Sequence, residues 1–496
     1  MTLIPLDIPA GFYRNGTDLE QAGRWRDGSL VRWRDNSLRP IGGWRERKTS
    51  FCTNVVRGMH TWEAQNSNAW LAGGSHSELK AMTGSGTLTD ITPSDLATGR
   101  EDAAANTGYG GGGYGLGYYG QPIQANDDSV LQEATTWSLD NWGEYLVACH
   151  YDDGRLLEWQ LNTATNAAPI ANAPVDNLGL VVTEERFIFA LGAGGNSRKV
   201  QWCDRENNTT WTPESTNEAG DIELQTSGQI MQGIRTRGQT LIITDTDAHT
   251  ARYLGPPYVY GFERVGASCG AISRKAASDV DLGVFWMGQR GFFRFDGNSV
   301  QEVQCDVHDY VFGDFNVAQQ SKVWSLANGQ YGEIWWFYCS SNSTEIDRYV
   351  AFDYKENHWL IGDLSRTSGV QRGVFRYPFM AGHNADSDIY DHEVGYNFDS
   401  ATTFAETGPI SIGAGDQIAK VTKLIPDEIT QGDVDVTFKT RFYPNATETT
   451  HGPFTPANPT SVRFSGRQLR MRVEGQRSTQ WKVGNMRIDA SAGGRR

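Results

Sequence analysis

A run of acidic residues forms the densest group of potential metal ligands in this sequence. It lies in the segment HNADSDIYDHE, residues 383–393, where Asp386, Asp388, Asp391 and Glu393 supply carboxylates. Carboxylate oxygens are the ligands that Ca²⁺ prefers, and the ion takes about six to eight of them. The spacing differs from that of an EF-hand loop and lacks its glycine, so a polar turn leading into a strand explains the same residues. We therefore predict no metal site and no cofactor.

A second segment has the spacing of a catalytic nucleophile. GASCG, residues 266–270, matches the G-x-S-x-G pattern with Ser268 at its centre. That pattern requires a strand before the serine and a helix after it, and no helical periodicity follows here. The sequence also has no HExxH, no P-loop and no dinucleotide fingerprint. We predict from these observations that the chain is not an enzyme.

Candidate contact residues occur in the glycine- and tyrosine-rich stretch TGYGGGGYGLGYYG, residues 107–120. Eight of its fourteen positions are glycine and four are tyrosine: Tyr109, Tyr114, Tyr118 and Tyr119. Glycine is unfavourable inside helices and strands, whereas tyrosine combines an apolar ring with a polar tip. Two interpretations remain open: a flexible surface loop, or a loop that becomes ordered against a neighbouring subunit.

The charge distribution suggests further contact residues. The net charge is −15, which argues against a general nucleic-acid binder, because such proteins present basic surface to phosphate. Residues 462–496 nevertheless contain nine basic residues against two acidic ones, and residues 24–48 contain eight against three. Arg463, Arg467, Arg470 and Arg472 are candidates for docking an acidic partner or a phosphate backbone. Solvated strand faces would produce the same pattern.

Composition and patterning predict an all-β chain. There are 56 Gly, 16 Trp, 19 Tyr and 21 Phe, and units of apolar strands joined by polar turns recur at intervals of about 40 to 70 residues. Recurring groups of short strands of this kind are typical of β-propeller blades. We predict a propeller of six or seven blades over residues 51–398, with the glycine- and tyrosine-rich insertion near 98–129. The tryptophans of these units, such as Trp159, Trp202 and Trp359, are expected to be core residues.

The two ends of the chain differ in pattern from the repeated units. Residues 1–50 contain a small tandem repeat, RWRDGSLVRWRDNSLRP, and are predicted to form a strap and hairpin that join the propeller. In residues 399–496 apolar and polar residues alternate clearly in the segments VDVTFKTRF and QLRMRVE. This alternation predicts a C-terminal β-sandwich. No signal peptide and no membrane span is expected, and scattered cysteines without a metal-binding spacing favour synthesis in a reducing cytoplasm.

Several stretches together resemble the tail hub, or nozzle, proteins of short-tailed bacteriophages, the group that includes the packaged-DNA stabilisation proteins. The opening residues 8–46 resemble their N-terminal segment, and YGGGGYGLGYYG is similar to their Gly/Tyr loops. YVAFDYKENHWLIGDLSRTSG, residues 349–369, looks like their late blade strand, and residues 389–398 and the arginine-rich C-terminal strands also fit. The resemblance extends over nearly the whole chain, and none of its motifs is catalytic.

The resemblance implies a structural virion protein. Such a protein is made in the cytoplasm of the bacterial host and forms a homo-oligomeric ring, of six copies, in the virion tail below the portal-adaptor protein. The ring retains packaged double-stranded DNA, conducts it during ejection without sequence specificity, and carries tail fibre or spike proteins. The alternative from a different functional class is a glycan-binding or glycan-cleaving propeller that acts as a receptor-binding tail component. That alternative requires an aromatic-rimmed pocket with two carboxylates.

Overall fold

The fold was analysed in a computed structural model that describes residues 2–105, 131–383, 387–411, 418–427, 429–430, 434–457, 459–475 and 478–493. Strands dominate this part of the chain, which contains a single short α-helix, α1 (His308–Gly313), and 3₁₀ turns at Ala193–Gly195 and Val317–Lys322. None of its helices is long and apolar enough to cross a membrane. The chain is therefore all-β, as its composition predicts.

Five short strands precede the repeated units: β1 (Thr2–Leu6), β2 (Trp25–Ser29), β3 (Val31–Arg34), β4 (Ser37–Pro40) and β5 (Trp44–Lys48). β3 and β4 form a hairpin in which Trp33 pairs with Leu38. The turn between them contains Asp35 and Asn36, both with positive φ, a conformation that Asp and Asn tolerate better than most residues. This hairpin corresponds to the tandem repeat seen in the sequence.

Six blades follow, each a sheet of four antiparallel strands in sequence order. Blades 1 and 2 contain β6 (Gly58–Glu63), β7 (Ala69–Gly74), β8 (Leu79–Thr83), β9 (Leu88–Asp90), β12 (Trp137–Trp142), β13 (Tyr145–His150), β14 (Leu156–Trp159) and β15 (Ala168–Pro169). The short strands β10 (Ala104–Ala105) and β11 (Leu131–Gln132) pair between them. Blades 3 and 4 contain β16 (Gly179–Val182), β17 (Ile188–Leu191), β18 (Lys199–Trp202), β19 (Gly220–Glu223), β20 (Ile230–Thr236), β21 (Gln239–Thr244), β22 (Asp247–Gly255) and β23 (Val259–Ala267). Blades 5 and 6 contain β24 (Ala277–Val280), β25 (Gly283–Met287), β26 (Phe292–Phe295), β27 (Val300–Val303), β28 (Trp324–Asn328), β29 (Glu333–Tyr338), β30 (Arg348–Asp353) and β31 (His358–Asp363).

The seventh blade combines both ends of the propeller. Its inner strands are β32 (Arg366–Val370), β33 (Phe379–Gly382) and β34 (Ile389–His392), and its outermost strand is β5 from the N-terminal segment. The innermost strands of neighbouring blades contact one another around the circle, and β32 contacts β6. The ring is therefore closed, which leaves only short strand edges open. The prediction of a propeller is confirmed, with seven blades.

Tryptophans connect neighbouring blades as well as filling them. Trp137, Trp336 and Trp359 are almost fully buried, and each donates its indole N–H to a backbone carbonyl of blade 1 or of the segments just before and just after blade 5. The acceptors are Ser75 O at 2.6 Å, Ala276 O at 2.8 Å and Gln304 O at 2.9 Å. A buried indole needs such a partner, because an unpaired donor in the core is costly. The prediction that the tryptophans of the repeated units, among them Trp159, Trp202 and Trp359, are core residues is confirmed.

The C-terminal region forms a two-sheet β-sandwich, as predicted. Its strands are β35 (Phe404–Thr407), β36 (Ile410–Ser411), β37 (Ala419–Ile425), β38 (Val434–Arg441), β39 (Thr449–Phe454), β40 (Thr460–Gly466), β41 (Gln468–Gly475) and β42 (Met486–Ala492). One sheet has the order β1-β42-β37-β40, and the other has the order β2-β35-β41-β38-β39 with β36 beside β41. Val436 pairs with Val473 and Phe438 with Met471, and all four side chains are buried.

The N-terminal segment is shared between the two domains. Only β5 lies in a blade, whereas β1 pairs with β42 and β2 pairs with β35 in the sandwich. The sequence analysis expected residues 1–50 to form a strap and hairpin that join the propeller. It did not anticipate the pairing of β1 and β2 with the sandwich, because strand partners several hundred residues away leave no local signal. Side chains of the sandwich, the hairpin β3–β4 and blades 5 to 7 belong to one continuous hydrophobic core. The two domains are thus joined by packing and by strand pairing.

Candidate functional site

The two faces of the propeller carry different features. We call the face with the connections between successive blades the loop face. The opposite face, which carries the turn after each innermost strand, is called the hairpin face. The predicted loop tyrosines, Tyr109, Tyr114, Tyr118 and Tyr119, lie outside the described residues. The described residues on both sides of them, 98–105 and 131–136, lie on the loop face and form what we call the stalk.

The stalk is held together by its own hydrogen bonds. Ala104 pairs with Gln132 and Ala105 with Leu131 in the β10–β11 ladder. The Arg100 backbone N–H donates to Thr135 Oγ1 at 2.7 Å, and the Arg100 side chain pairs with Asp152 in blade 2. Two flanks that are separated by 25 residues of sequence are therefore fixed side by side.

The stalk also reaches blades on the far side of the ring. It emerges between blades 1 and 2, but the Gln319 amide, just before blade 6, exchanges two hydrogen bonds with the Ala103 backbone at 3.0 and 3.1 Å. Arg274, just before blade 5, pairs with Glu133. The stalk therefore crosses the loop-face end of the central channel.

A buried charge cluster fixes the stalk to the propeller. Lys322 has a fully buried side chain and pairs with Asp102 of the stalk and, at 3.5 Å, with Glu345. Arg57 forms two hydrogen bonds to the same Glu345 carboxylate, at 2.5 and 2.7 Å. Burial opposes ionisation of Glu345, but the two cations prevail and lower its pKa to about 2. The sequence analysis missed this cluster, because its members are isolated charges as much as 288 positions apart.

The four predicted arginines of the C-terminal strands lie in different surroundings. Arg463 is exposed, and Arg467 lies over the ring of Tyr443 at 5.1 Å. Arg470 is 11% exposed and pairs with Asp18 at 2.6 Å and with Glu448 at 3.1 Å. The structure thus places these side chains on neighbouring strands but does not bring them to one common site.

Arg472 is partly committed to intramolecular contacts as well. Its guanidinium pairs with Glu474 at 3.0 Å and lies over the Phe404 ring at 3.6 Å. Arg470 and Arg472 therefore already hold carboxylates of this chain. Arg463 forms no ion pair with any residue that the structure describes, whereas Arg467 is engaged in contacts of its own.

A basic cleft lies where the hairpin β3–β4, the propeller and the C-terminal region meet. Its volume is about 250 Å³, and Arg34, Arg39, Lys482, Tyr331 and Tyr396 line it. None of these three cations forms an ion pair with any residue that the structure describes. The protein as a whole is acidic, whereas these three cations make the cleft a local region of positive potential. Such a region would attract an anionic segment.

A wider cavity opens on the hairpin face near blades 4 to 7. It has a volume of about 690 Å³, and its lining includes Asp279, Asp281, Asp296, Arg294 and Tyr354. Burial raises the pKa of Asp279, and the charge of Asp281 raises it further. Acid–base catalysis on a glycosidic bond uses two carboxyl groups, and a raised pKa suits the one that acts as the acid.

The acidic segment of residues 383–393 does not gather its carboxylates around one point. Asp386 lies outside the described residues, and Asp388 accepts a hydrogen bond from the Ser50 N–H at 2.9 Å. Asp391 pairs with Arg45 at 2.7 Å, whereas Glu393 pairs with Arg32 at 2.6 Å. These carboxylates fasten the N-terminal segment to blade 7, which accounts for them without a metal.

A different trio has the geometry of potential metal ligands. Asp353, Glu356 and His358 place ligand atoms within 4.8 Å of one another at the turn between β30 and β31. Asp353 Oδ1, however, already accepts the backbone N–H groups of Lys355 at 2.9 Å and Glu356 at 2.8 Å. A turn capped by an aspartate side chain is therefore a sufficient explanation for this group.

Comparison with known proteins finds similarity in structure but none in sequence families. No protein-family model matches the chain, and no curated protein sequence matches it. Virginiamycin B lyase from Staphylococcus aureus is similar in structure, with 6% identity, 70% of this chain and 98% of that chain covered, and a TM-score of 0.42. PorZ, a surface component of the type-IX secretion system of Porphyromonas gingivalis, has 7% identity, coverages of 77% and 44%, and a TM-score of 0.37. A luciferin-regenerating enzyme has 9% identity, coverages of 51% and 89%, and a TM-score of 0.33.

These structures correct the prediction that the chain is not an enzyme. That prediction depends on the lack of a contiguous catalytic motif, whereas the similar structures include two enzymes, virginiamycin B lyase and a luciferin-regenerating enzyme. A propeller brings together side chains from separate blades, so catalytic residues need not form a motif in the sequence. The lack of a contiguous catalytic motif therefore does not exclude an enzyme. At these identities the likeness concerns the fold alone and transfers no activity to this chain.

Proposed function

We propose that this protein is a structural component of the tail of a short-tailed bacteriophage. In this proposal, copies of the chain form a ring of six below the portal-adaptor protein. The ring retains the packaged DNA and conducts it during ejection, and tail fibre or spike proteins attach to it. The proposal starts from the resemblance in sequence, which extends over nearly the whole chain.

The observation that carries the proposal is the anchoring of the stalk. A fully buried lysine, Lys322, holds Asp102, and a nearly buried arginine, Arg274, holds Glu133, one on each flank of residues 106–130. Burying charges is unfavourable unless they are paired. Two buried ion pairs at the ends of one loop therefore indicate that the position of this loop matters for function. Fixing the ends in advance lowers the entropy cost of a contact with another subunit.

The joined domains also support a role under mechanical load. The first strand of the chain pairs with the last one, β1 with β42, and β5 completes blade 7. Force applied through β1 or β42 is therefore resisted by sheet hydrogen bonds within a shared core. The net charge of −15 would also let DNA slide past the ring without adhering.

The proposal is tested by changing the loop tyrosines in particles. A phage that lacks this gene is complemented with the variant in which Tyr109, Tyr114, Tyr118 and Tyr119 are all serine. We expect the variant chain to fold but to give particles that lack a complete tail or lose their DNA. The matched control is Tyr258→Ser, which changes a tyrosine that is 78% exposed in blade 4. Normal, DNA-filled particles from the fourfold variant would contradict the proposed role of the loop.

The cavity with Asp279 favours a second candidate function. According to this second candidate function, the hairpin face binds or cleaves a glycan of the host surface. Asp279 would act as the acid, and Tyr354 would form part of the rim of the cavity. Binding or cleavage of purified host polysaccharide that is lost in Asp279→Asn but kept in Asp176→Asn, an exposed control, would support this candidate. Equal behaviour of the two variants would exclude Asp279 from such a site.

A further inference from the structure

A small cavity at the loop-face end of the central channel lies between the innermost strands of blades 2 to 5. Its volume is about 110 Å³, and its lining includes Ser138, Asp140, Gln232, Arg274 and Lys275. At about 30 Å³ for each water molecule, it has room for three to four of them. One phosphate ion or one short carboxylate takes up a similar space.

Most polar groups of the wall already have partners. Ser138 Oγ donates to Leu180 O at 2.8 Å and accepts from the Leu180 N–H at 3.1 Å. The Gln232 amide forms two hydrogen bonds with the Ala277 backbone, at 3.1 and 3.0 Å. These groups are fixed in place and have little remaining capacity to bind a ligand.

The Asp140 carboxylate is also occupied. It accepts the Val182 N–H at 2.9 Å and pairs with Arg235 at 3.0 Å. Its negative charge is therefore largely balanced by a cation that does not belong to the lining of the cavity.

The two adjacent cations differ from the rest of the wall. The Arg274 side chain is only 6% exposed, and it lies over the Tyr151 ring at 3.9 Å. Its Nη1 pairs with Glu133, but its Nε and Nη2 are buried and have no acceptor among the described residues. Lys275 is partly exposed, and its ammonium forms no hydrogen bond with any residue that the structure describes. A buried donor without an acceptor costs about 1–3 kcal/mol, and more when the donor is charged.

We propose that this cavity is a binding site for a small oxyanion, held between the Arg274 guanidinium and the Lys275 ammonium. An oxyanion supplies acceptor oxygens for the two buried Arg274 donors and a negative charge beside both cations. A planar guanidinium beside an ammonium is a chemical arrangement suited to phosphate and carboxylate groups.

The electrostatic environment of Lys275 agrees with this assignment. Burial lowers the pKa of Lys275 to about 8, although the nearby Asp140 charge raises it. His60, from blade 1, also faces this region, and burial lowers the pKa of its imidazole, so the positive charge at the site comes from Arg274 and Lys275. The site therefore gains from a negative ligand. Because Arg274 also holds Glu133, the bound anion would stiffen the stalk. The inference does not depend on the proposed tail function.

Inorganic phosphate and acetate are the probes for the test. Each is titrated into the full-length protein at constant ionic strength, and binding is followed by calorimetry and by thermal unfolding. We expect saturable binding to the wild-type protein and at least a tenfold weaker affinity in Lys275→Gln. The matched control is Lys420→Gln, which removes an exposed lysine of the sandwich and should bind like the wild type. Saturation by phosphate alone or by acetate alone assigns the class of oxyanion.

A second measurement needs no variant and remains valid if Lys275→Gln fails to fold. Lysines of the wild-type protein are acetylated with and without the probe, and modification is quantified by mass spectrometry. We expect the probe to protect Lys275 and to leave Lys420 unchanged. The proposal is overturned if neither probe gives saturable binding, or if the probes leave the modification of Lys275 unchanged.

Discussion

Arg32 of the N-terminal hairpin forms two hydrogen bonds with Glu393 of the propeller, at 2.6 and 3.0 Å, although 361 positions separate them in the sequence. The same guanidinium donates to Glu333 at 2.9 Å and lies over the Tyr331 ring at 3.7 Å. All three charged side chains are buried, with exposures of 8% or less. This cluster connects the hairpin to blades 6 and 7 at the point where the two domains meet.

Removing the Arg32 charge should destabilise the whole protein. We expect Arg32→Met to lower the free energy of unfolding by about 3–5 kcal/mol, because two buried carboxylates would lose their common partner. Chemical denaturation followed by tryptophan fluorescence measures this change. Arg34→Met, on the exposed side of the same hairpin, is the control and should shift stability by no more than about 0.5 kcal/mol. Equal effects of the two substitutions would show that the ion cluster contributes little.

Gly74 is predicted to tolerate no side chain. A Cβ at this position would lie 2.4 Å from Trp137 Nε1, whose N–H donates to the Ser75 carbonyl. We expect Gly74→Ala to cost about 1–3 kcal/mol, because the contact between blades 1 and 2 would be overpacked. The thermal midpoint and the denaturant midpoint should both fall. Gly329→Ala, where a Cβ would meet nothing within 4 Å, serves as the control, and a similar loss there would contradict the packing explanation.

Acid should weaken blade 7 through His392. Burial and the neighbouring Arg366 hold the pKa of His392 well below its ordinary value of 6.5, and its Nε2 accepts the Arg366 Nε–H at 2.9 Å. Because the unfolded state binds a proton near pH 6.5 and the folded state does not, this contribution is complete above that pH. It is lost progressively as the pH falls towards the lower folded pKa.

The measurement is the free energy of unfolding between about pH 7.5 and 5.5 for His392→Gln and for the wild type. The wild-type slope should exceed that of the variant by up to about 1.4 kcal/mol for each pH unit, which corresponds to one proton. His308→Gln, at a half-exposed position, should keep the wild-type slope. Identical slopes in all three proteins would rule out His392 as a source of the pH dependence.

The stalk should loosen when its buried anchor is removed. We expect Asp102→Ala to increase hydrogen exchange in residues 131–136 about 5- to 30-fold, as an opening that is easier by one or two kcal/mol would give. The blade strands should keep their protection, since Lys322 retains Glu345 as a partner. Asp95→Ala, which removes a mostly exposed ion pair with Arg155, is the control. Unchanged exchange in Asp102→Ala would show that Lys322 does not fix the stalk.

The sequence predicts the strands that alternate cleanly. Val436 and Phe438 face the core and their polar neighbours face outward, as period-two patterning requires. The number of blades was harder to predict, because outer strands such as Ala168–Pro169 have only two residues and carry no pattern. The seventh blade gave no local signal either, since β5 joins it from the other end of the chain.

The candidate site residues were less predictable than the fold. Arg470 belongs to an arginine-rich strand that suggests a docking surface, yet it pairs with Asp18, which lies 452 positions away. Lys322 and Arg57 appear in the sequence as isolated charges, and only the closed ring brings them to one carboxylate. Long-range ion pairs of this kind depend on topology, which local sequence patterns do not encode.

The central claim is that this chain forms part of the axis of a phage tail. Immunogold electron microscopy of purified particles, with an antibody raised against the chain, tests it most directly. The proposal predicts gold on the central tail axis, just below the head. Gold on peripheral spikes would favour the glycan-binding alternative, and particles without any label would contradict the claim.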